Sequence, residues 1–374
     1  MLGVGLPLAS SLISCKKEEF DYDGNVLIIG AGAAGLTAGY LLQKGNVQYQ
    51  ILEASSTYGG RMKRTTDFAD FPLPLGAEWL HVETGVFAEI VDNSSVDVSV
   101  ATTPYDPNTD YGLFQGEQIS VQEVGFTIDR KFIGSTWFDF YDQYIVPSVS
   151  ANISYNKVVE SIDYSGDQVV VRTADEEFTA DRVIFTAPLK MLQNRAITFT
   201  PALPRRKQNA IDDATVWDGC KAFIEFSDKF YPAFTAYETV PETAGQKLYY
   251  DAAYGQNSSR HILGLFAVGS EATIYNEMAE GDRIGYMLNE LDAIYNGQAS
   301  AGYVKHIFQN WNAEPYINGA YLYDHENWGR VGRLAETVDN KILFAGEAYG
   351  FSNDWGSVHV AARAAKRAVE EIVS

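Results

Sequence analysis

Cysteine is nearly absent: Cys15 and Cys220 are the only two in 374 residues. Two cysteines cannot make a disulfide framework, and neither stands in the close spacing of a metal-binding cluster. Histidine is also scarce, with five scattered copies, so a histidine metal centre has no support. Positive charge is short as well. Against 49 acidic residues there are 28 basic ones, giving a net charge of −21 and a pI near 4.6. A body this acidic is repelled by phosphate backbones and anionic lipid surfaces, which argues against nucleic acid or an anionic membrane as partner. Cationic substrates would be mildly attracted to it.

What is present is a large apolar inventory, 46% hydrophobic and 13% aromatic, enough for a globular chain of two domains with sizeable cores. The most informative stretch is 25–55, NVLIIGAGAAGLTAGYLLQKGNVQYQILEAS. Residues 26–30 read as a buried parallel strand, 47–52 as a second, and the segment between them, through 43, as a helix. The turn carries Gly30, Gly32 and Gly35, with Ala34 beside them, and Glu53 and Ala54 follow the second strand. Each glycine has a use: Gly30 for the tight turn, Gly32 for backbone approach to a pyrophosphate, and Gly35 for close packing of helix on strand. Free N–H groups at the helix N-terminus suit phosphates, and Glu53 suits ribose hydroxyls. A strand–turn–helix–strand context with a terminal acid makes the motif specific for a dinucleotide.

Two more glycine-rich segments follow. Gly59-Gly60-Arg61 places a guanidinium at the end of a loop that permits close backbone approach. Gly76-Ala77-Glu78-Trp79-Leu80-His81 groups an acid with two ring side chains. In order and spacing these motifs resemble the FAD-dependent amine oxidase family, which has phytoene desaturases and protoporphyrinogen oxidases among its relatives. The resemblance implies an α/β fold: a Rossmann-like, doubly wound FAD-binding domain from 22–83, 152–205 and 335–374, and an α+β substrate domain inserted at 84–151 and 206–334. It also implies non-covalent FAD. Gly30, Gly32, Gly35 and Glu53 would hold the ADP half, Gly60 and Arg61 would lie near the diphosphate, and Gly76, Ala77, Glu78 and Trp79 would line the flavin ring.

The resemblance continues to the C-terminus. Residues 156–185 alternate like a β-meander, with Val159 where the family backbone meets adenine. Strands are expected at 221–226 and 261–269, and a helix over 270–295. Trp311 and Tyr321 match the family's W…P…GxY element, which implies that Tyr321 is one wall of an aromatic cage for the amine. Ala320 stands where some members attach flavin through cysteine. Gly346 and Glu347 end a buried strand, and Gly356 and Val358 open the last helix, whose N-terminus is implied to face the flavin's N1–C2=O edge. Trp311, Tyr321 and Trp355 are the candidate catalytic residues.

Three features depart from the family. The second cage wall falls on Ser357, with Tyr349, Phe351 and Trp355 as possible substitutes. The family glycine in the last helix is Val360. The family lysine that hydrogen-bonds a water at flavin N5 is not found between Lys247 and Lys305, where Arg260 and His261 are the nearest cations. The expected reaction is hydride transfer from the carbon of a C–N bond to flavin N5, with O2 as acceptor and an amine or amino acid as substrate. A desaturase or isomerase of an apolar substrate, or a degenerate FAD-binding lipoprotein, are the alternatives. At the other end, MLGVGLPLASSLISC is too short to span a membrane and reads as a signal-peptide tail. Its Leu-Ile-Ser-Cys15 resembles a lipoprotein box, so the expected location is exported, periplasmic or membrane-anchored through Cys15, against a cytoplasmic alternative.

Overall fold

A computed structural model of the chain describes residues 20–105, 110–115, 118–122, 129–237, 244–323, 327–350 and 356–374. Cys15, Phe351 and Trp355 lie outside the described residues. No helix among the described residues is long and apolar enough to cross a membrane.

The first of the two large sheets has five parallel strands in the order Ile342–Phe344, Arg182–Phe185, Asn25–Ile29, Gln48–Leu52, Ile153–Ser154. Its central strand is apolar on both faces because both are covered. Val26 and Ile28 join the core of the helices Ala33–Lys44 and Val358–Val373, while Leu27 and Ile29 join the opposite core, with Val169 and Val171. Such two-sided burial is why the strand reads as a continuous apolar run. The two helices pack on each other in a core that holds Ala34 and Ala38 of one and Ala361, Ala364 and Ala365 of the other. In register, Ile29 stands beside Leu52 on one side and Phe185 on the other, and Phe185 beside Phe344. The strands' carboxyl ends therefore deliver Gly30, Glu53, Thr186 and Gly346 to one edge, where open parallel sheets bind ligands.

The 156–185 region divides between two sheets. Ser161–Asp163, Val169–Arg172 and Glu177–Ala180 form a four-stranded sheet with Thr198–Thr200, while Arg182–Phe185 enters the parallel sheet.

The second large sheet has seven strands, ordered Tyr303–Asn310, Gly219–Phe226, His261–Gly269, Gly245–Asp251, Phe234–Tyr237, Tyr111–Gln115, Gln118–Gln122. It joins residues from both sides of the 152–205 segment. Its outer face is covered by helices and its inner face carries Phe223, Tyr250 and Ile262 against Leu73 and Leu75. The helix expected over 270–295 is two helices, Ser270–Glu277 and Glu280–Tyr295. Met278 and Ala279 are extended, with ψ of 146° and 144°. The Arg283 guanidinium closes the first helix there, donating to Tyr275 O at 2.8 Å and Met278 O at 2.9 Å. A cation on the last carbonyls stabilises a helix C-terminus, and no proline or glycine at 278–279 announces it.

Candidate active site

One cavity of about 760 Å³ runs from the carboxyl edge of the parallel sheet to the inner face of the seven-stranded sheet. Gly30, Gly32, Ala34, Glu53 and Ala54 line one end; Gly60, Arg61, Gly346 and Glu347 lie along it. Gly76, Ala77, Glu78, Trp79, Trp311, Tyr321, Gly356 and Val358 line the rest, and Val159 lines its edge.

At the nucleotide end the glycines separate into different jobs. Gly30 takes φ +105°, open to glycine and strained for other residues. A Cβ on Gly35 would stand 1.8 Å from Gly30 O, so this glycine, which does not line the cavity, is what lets helix and turn pack. A Cβ on Gly32 would meet nothing within 4 Å: it faces open cavity at the N-cap of Ala33–Lys44. Glu53 is held by two backbone N–H groups, Ala31 N on Oε2 at 2.6 Å and Ser55 N on Oε1 at 2.8 Å. Each carboxylate oxygen keeps acceptor capacity for a hydroxyl.

Gly59 N donates to Ala31 O at 2.9 Å, which seats the Gly59-Gly60-Arg61 loop on the glycine turn. From there the Arg61 guanidinium reaches Glu347 Oε1 at 2.9 Å and also donates to Ala320 O. Glu347 Oε2 accepts Leu322 N at 3.2 Å.

The far end is aromatic. Trp79 meets Tyr250 edge-on at 4.8 Å between centroids and Phe266 at 6.0 Å. The Tyr321 ring packs on Gly356, whose absent Cβ would sit 3.0 Å from Cδ2, and against Trp217 at 5.9 Å. Burial, aided by the Glu347 carboxylate, raises the Tyr321 pKa above its ordinary value, so the hydroxyl stays protonated. Trp311 donates from Nε1 to Leu75 O at 3.0 Å and packs over Gly76, which makes it a braced wall of the cavity. Trp355 lies outside the described residues. Of the proposed substitutes for the second cage wall, Tyr349 is placed elsewhere. It is 1% exposed, donates to Ala187 O at 3.1 Å and packs with Phe185 and Phe344, off the cavity.

No lysine occurs between Lys247 and Lys305, but one from earlier in the chain reaches the cavity. Lys221, in the strand Gly219–Phe226, lines the cavity. Its Nζ donates to Glu78 Oε2 at 2.6 Å and Pro74 O at 3.2 Å. Arg260 instead pairs with Glu225 at 2.7 Å, away from the cavity. A signal for Lys221 existed: it is a charge in a strand whose eight residues are all buried. Cations are almost never buried without a partner and a reason.

These walls fit a flavin dinucleotide. The glycine cradle at Gly32 is vacant of side chain, Glu53 offers acceptors at the sugar end, and the buried Trp79 indole N–H has no hydrogen-bond partner among the described residues. A buried orphan donor on a cavity wall calls for an acceptor from whatever fills the cavity.

A family model described as flavin containing amine oxidoreductase matches residues 141–373, and one described as NAD(P)-binding Rossmann-like domain matches 28–93. Polyamine oxidase 2 of Arabidopsis thaliana is 24% identical over 93% of the chain and 87% of its own length. Lysine-specific histone demethylase 1B of Mus musculus is 27% identical over 53% of the chain, which spans a quarter of that relative. Cyclohexylamine oxidase from Brevibacterium oxydans IH-35A superposes with a TM-score of 0.76 at 14% identity, covering 94% of this chain and 99% of that one. A putrescine oxidase mutant gives the same TM-score at 15% identity with the same coverage.

Proposed function

The chain belongs to the flavin containing amine oxidoreductases, with FAD as cofactor, and from that premise we propose that it oxidises a C–N bond of a small amine or amino acid with O2 as electron acceptor. The observation that carries the reading is the single cavity joining a dinucleotide cradle to an aromatic wall that contains a buried lysine. Held by these residues, FAD would supply the two-electron acceptor for the hydride on the carbon beside nitrogen, with O2 as the final acceptor, reduced to peroxide. The amine leaves as an imine, having lost that hydride and one proton.

The chain's own residues position and shield. Tyr321 and Trp79 offer ring faces to the amine, where π-density favours positive charge. Phe234, Leu248 and Phe266 keep the far wall apolar. Gly356, Ser357 and Val358 bring the N-terminus of the sixteen-residue helix Val358–Val373 to the cavity, and its first turn carries no acid to oppose an anion. Lys221 puts a buried cation on the same wall, with one N–H left to hold a water or the substrate.

The purified protein's visible spectrum, followed by anaerobic titration with a panel of amines and amino acids, tests the reading. Flavin bands that bleach with one class support it and name the class. Bands that persist against every amine favour a desaturase or isomerase of an apolar substrate, and colourless protein that takes up no FAD overturns the reading. Separately, the apolar 1–15 segment supports an exported protein anchored through Cys15; palmitate labelling that survives Cys15→Ser would count against it.

A further inference from the structure

Behind the cavity wall three buried charges meet. Glu78 carries Lys221 on Oε2 at 2.6 Å and Lys131 beside Oε1 at 3.4 Å, and the Tyr250 hydroxyl also donates to Oε2. The three charged side chains are 3–5% exposed. Glu78 lines the main cavity and also a second one of about 10 Å³, room for about one water. Lys221 lines only the first, and Lys131 only the second.

A count of donors separates the two lysines. An ammonium has three N–H groups. Lys131 donates to Asp251 O at 3.1 Å and Ala252 O at 3.2 Å and sets its charge 3.4 Å from Glu78 Oε1. Lys221 gives two to Glu78 and Pro74 O, which leaves one for the cavity. Lys131 thus reaches the reaction space through the Glu78 carboxylate, and besides that only over the Tyr105 ring at 5.7 Å.

We propose that Lys131 is a positioning residue for the reaction: through the second oxygen of Glu78 it fixes the charge and orientation of Lys221 at the cavity wall. The inference rests on the reading of the cavity as the flavin and amine site. Two ammonium groups on one carboxylate leave one surplus positive charge in a site with little water to screen it. Burial would raise the Glu78 carboxyl, but the two lysines hold it below its ordinary value, so it stays ionised. Burial, with Lys131 repelling, lowers Lys221 despite the Glu78 attraction. The other groups facing the cluster do not compete for its charge. Tyr105 and Tyr250 are kept protonated by burial. Asp251 is engaged by Lys229 at 2.8 Å, and Phe266 and Gln309 flank Lys221 in the sheet. His81 and Asp129, paired at 2.8 Å, stand farther out on the cavity rim.

The signs of two substitutions therefore differ. Lys131→Met removes a repelling cation and raises the proton affinity of Lys221; Glu78→Gln removes the attracting anion and lowers it. The experiment is a pH titration of FAD-loaded protein labelled with 13C at lysine Cε, with the Lys221 signal assigned by its loss in Lys221→Met. The wild-type midpoint is expected below the ~10.4 of a free lysine. Lys131→Met should move it up, Glu78→Gln down, and Lys131→Arg should keep it near wild type. The basic limb of the pH–rate profile should follow the same order. Midpoints that move together in Lys131→Met and Glu78→Gln overturn the proposal, as does a Lys131→Arg midpoint that departs from wild type as far as Lys131→Met. Should Lys131→Met not fold, Lys131→Gln keeps a donor for the Asp251 and Ala252 carbonyls without the charge and should also raise the midpoint; a midpoint that charge removal at 131 leaves unmoved overturns the proposal. The titration needs no turnover, so wild-type flavin that no amine reduces counts against the functional reading alone.

Discussion

Arg61 and Glu347 lie 286 positions apart and meet at 2.9 Å, Nη1 to Oε1, on the wall of the cavity. The pair ties the Gly59-Gly60-Arg61 loop to the end of the strand Ile342–Phe344. Through Leu322 N and Ala320 O it also ties both to the segment that carries Tyr321. The two side chains are 27% and 10% exposed, so the contact is screened less than a surface ion pair.

Arg61→Met leaves Glu347 as an unpaired carboxylate beside the path assigned to the diphosphate. The FAD dissociation constant should rise at least tenfold, about 1.4 kcal/mol, as read by fluorescence titration of apoprotein. An unchanged constant would show that the guanidinium serves only the protein's own contacts.

Two glycines in one turn should respond oppositely. Gly35→Ala puts a methyl 1.8 Å from Gly30 O, an overpacking that costs about 1–3 kcal/mol and lowers the melting temperature of the apoprotein. Gly32→Ala meets nothing, so apoprotein melting should hold steady while FAD affinity drops. Thermal melts with and without flavin separate the two.

Tyr321→Leu removes the ring face but keeps an apolar wall. A cation–π contribution of about 0.5–2 kcal/mol corresponds to a loss of roughly 2- to 30-fold in kcat/KM for amines, with the bound flavin spectrum retained. Tyr321→Phe should keep most of the activity, because the raised pKa makes the hydroxyl a poor acid.

Lys207 supplies a pH test remote from the cavity. Its ammonium donates to Arg333 O, Leu334 O and Glu336 O at 3.2, 2.7 and 2.7 Å and sits 3.5 Å from the Phe344 ring centroid. Burial pushes its pKa down to about 7, with Glu336 opposing and Arg367 and Arg206 adding to the fall. A depressed lysine binds fewer protons folded than unfolded, so its contribution to stability grows as pH rises from about 7 towards ~10.4 and is lost on the way back down. Lys207→Met should flatten the rise in melting temperature over that window. An identical slope in the variant would count against it.

Much of the nucleotide end was readable because its chemistry is local. The glycine spacing of 30–35, the acid at 53 and the strand–helix–strand pattern all lie within one stretch of chain. The 270–295 break was not readable, because its cause is an arginine folding back onto carbonyls rather than a helix-breaking residue. The arrival of Lys221 at the cavity has no mark in the spacing of the chain, which does not say which strand of the second sheet lines it.

By itself the sequence determined the family, the cofactor class and the residues of the glycine cradle, since backbone conformation and periodic burial leave direct marks on neighbouring positions. The tertiary structure alone decided which distant side chains share the cavity. Glu78 meets Lys131 and Lys221, Arg61 meets Glu347, and Tyr349 turns into the core. Those choices follow from sheet order and strand register, which pair residues far apart in the chain and which no local pattern encodes.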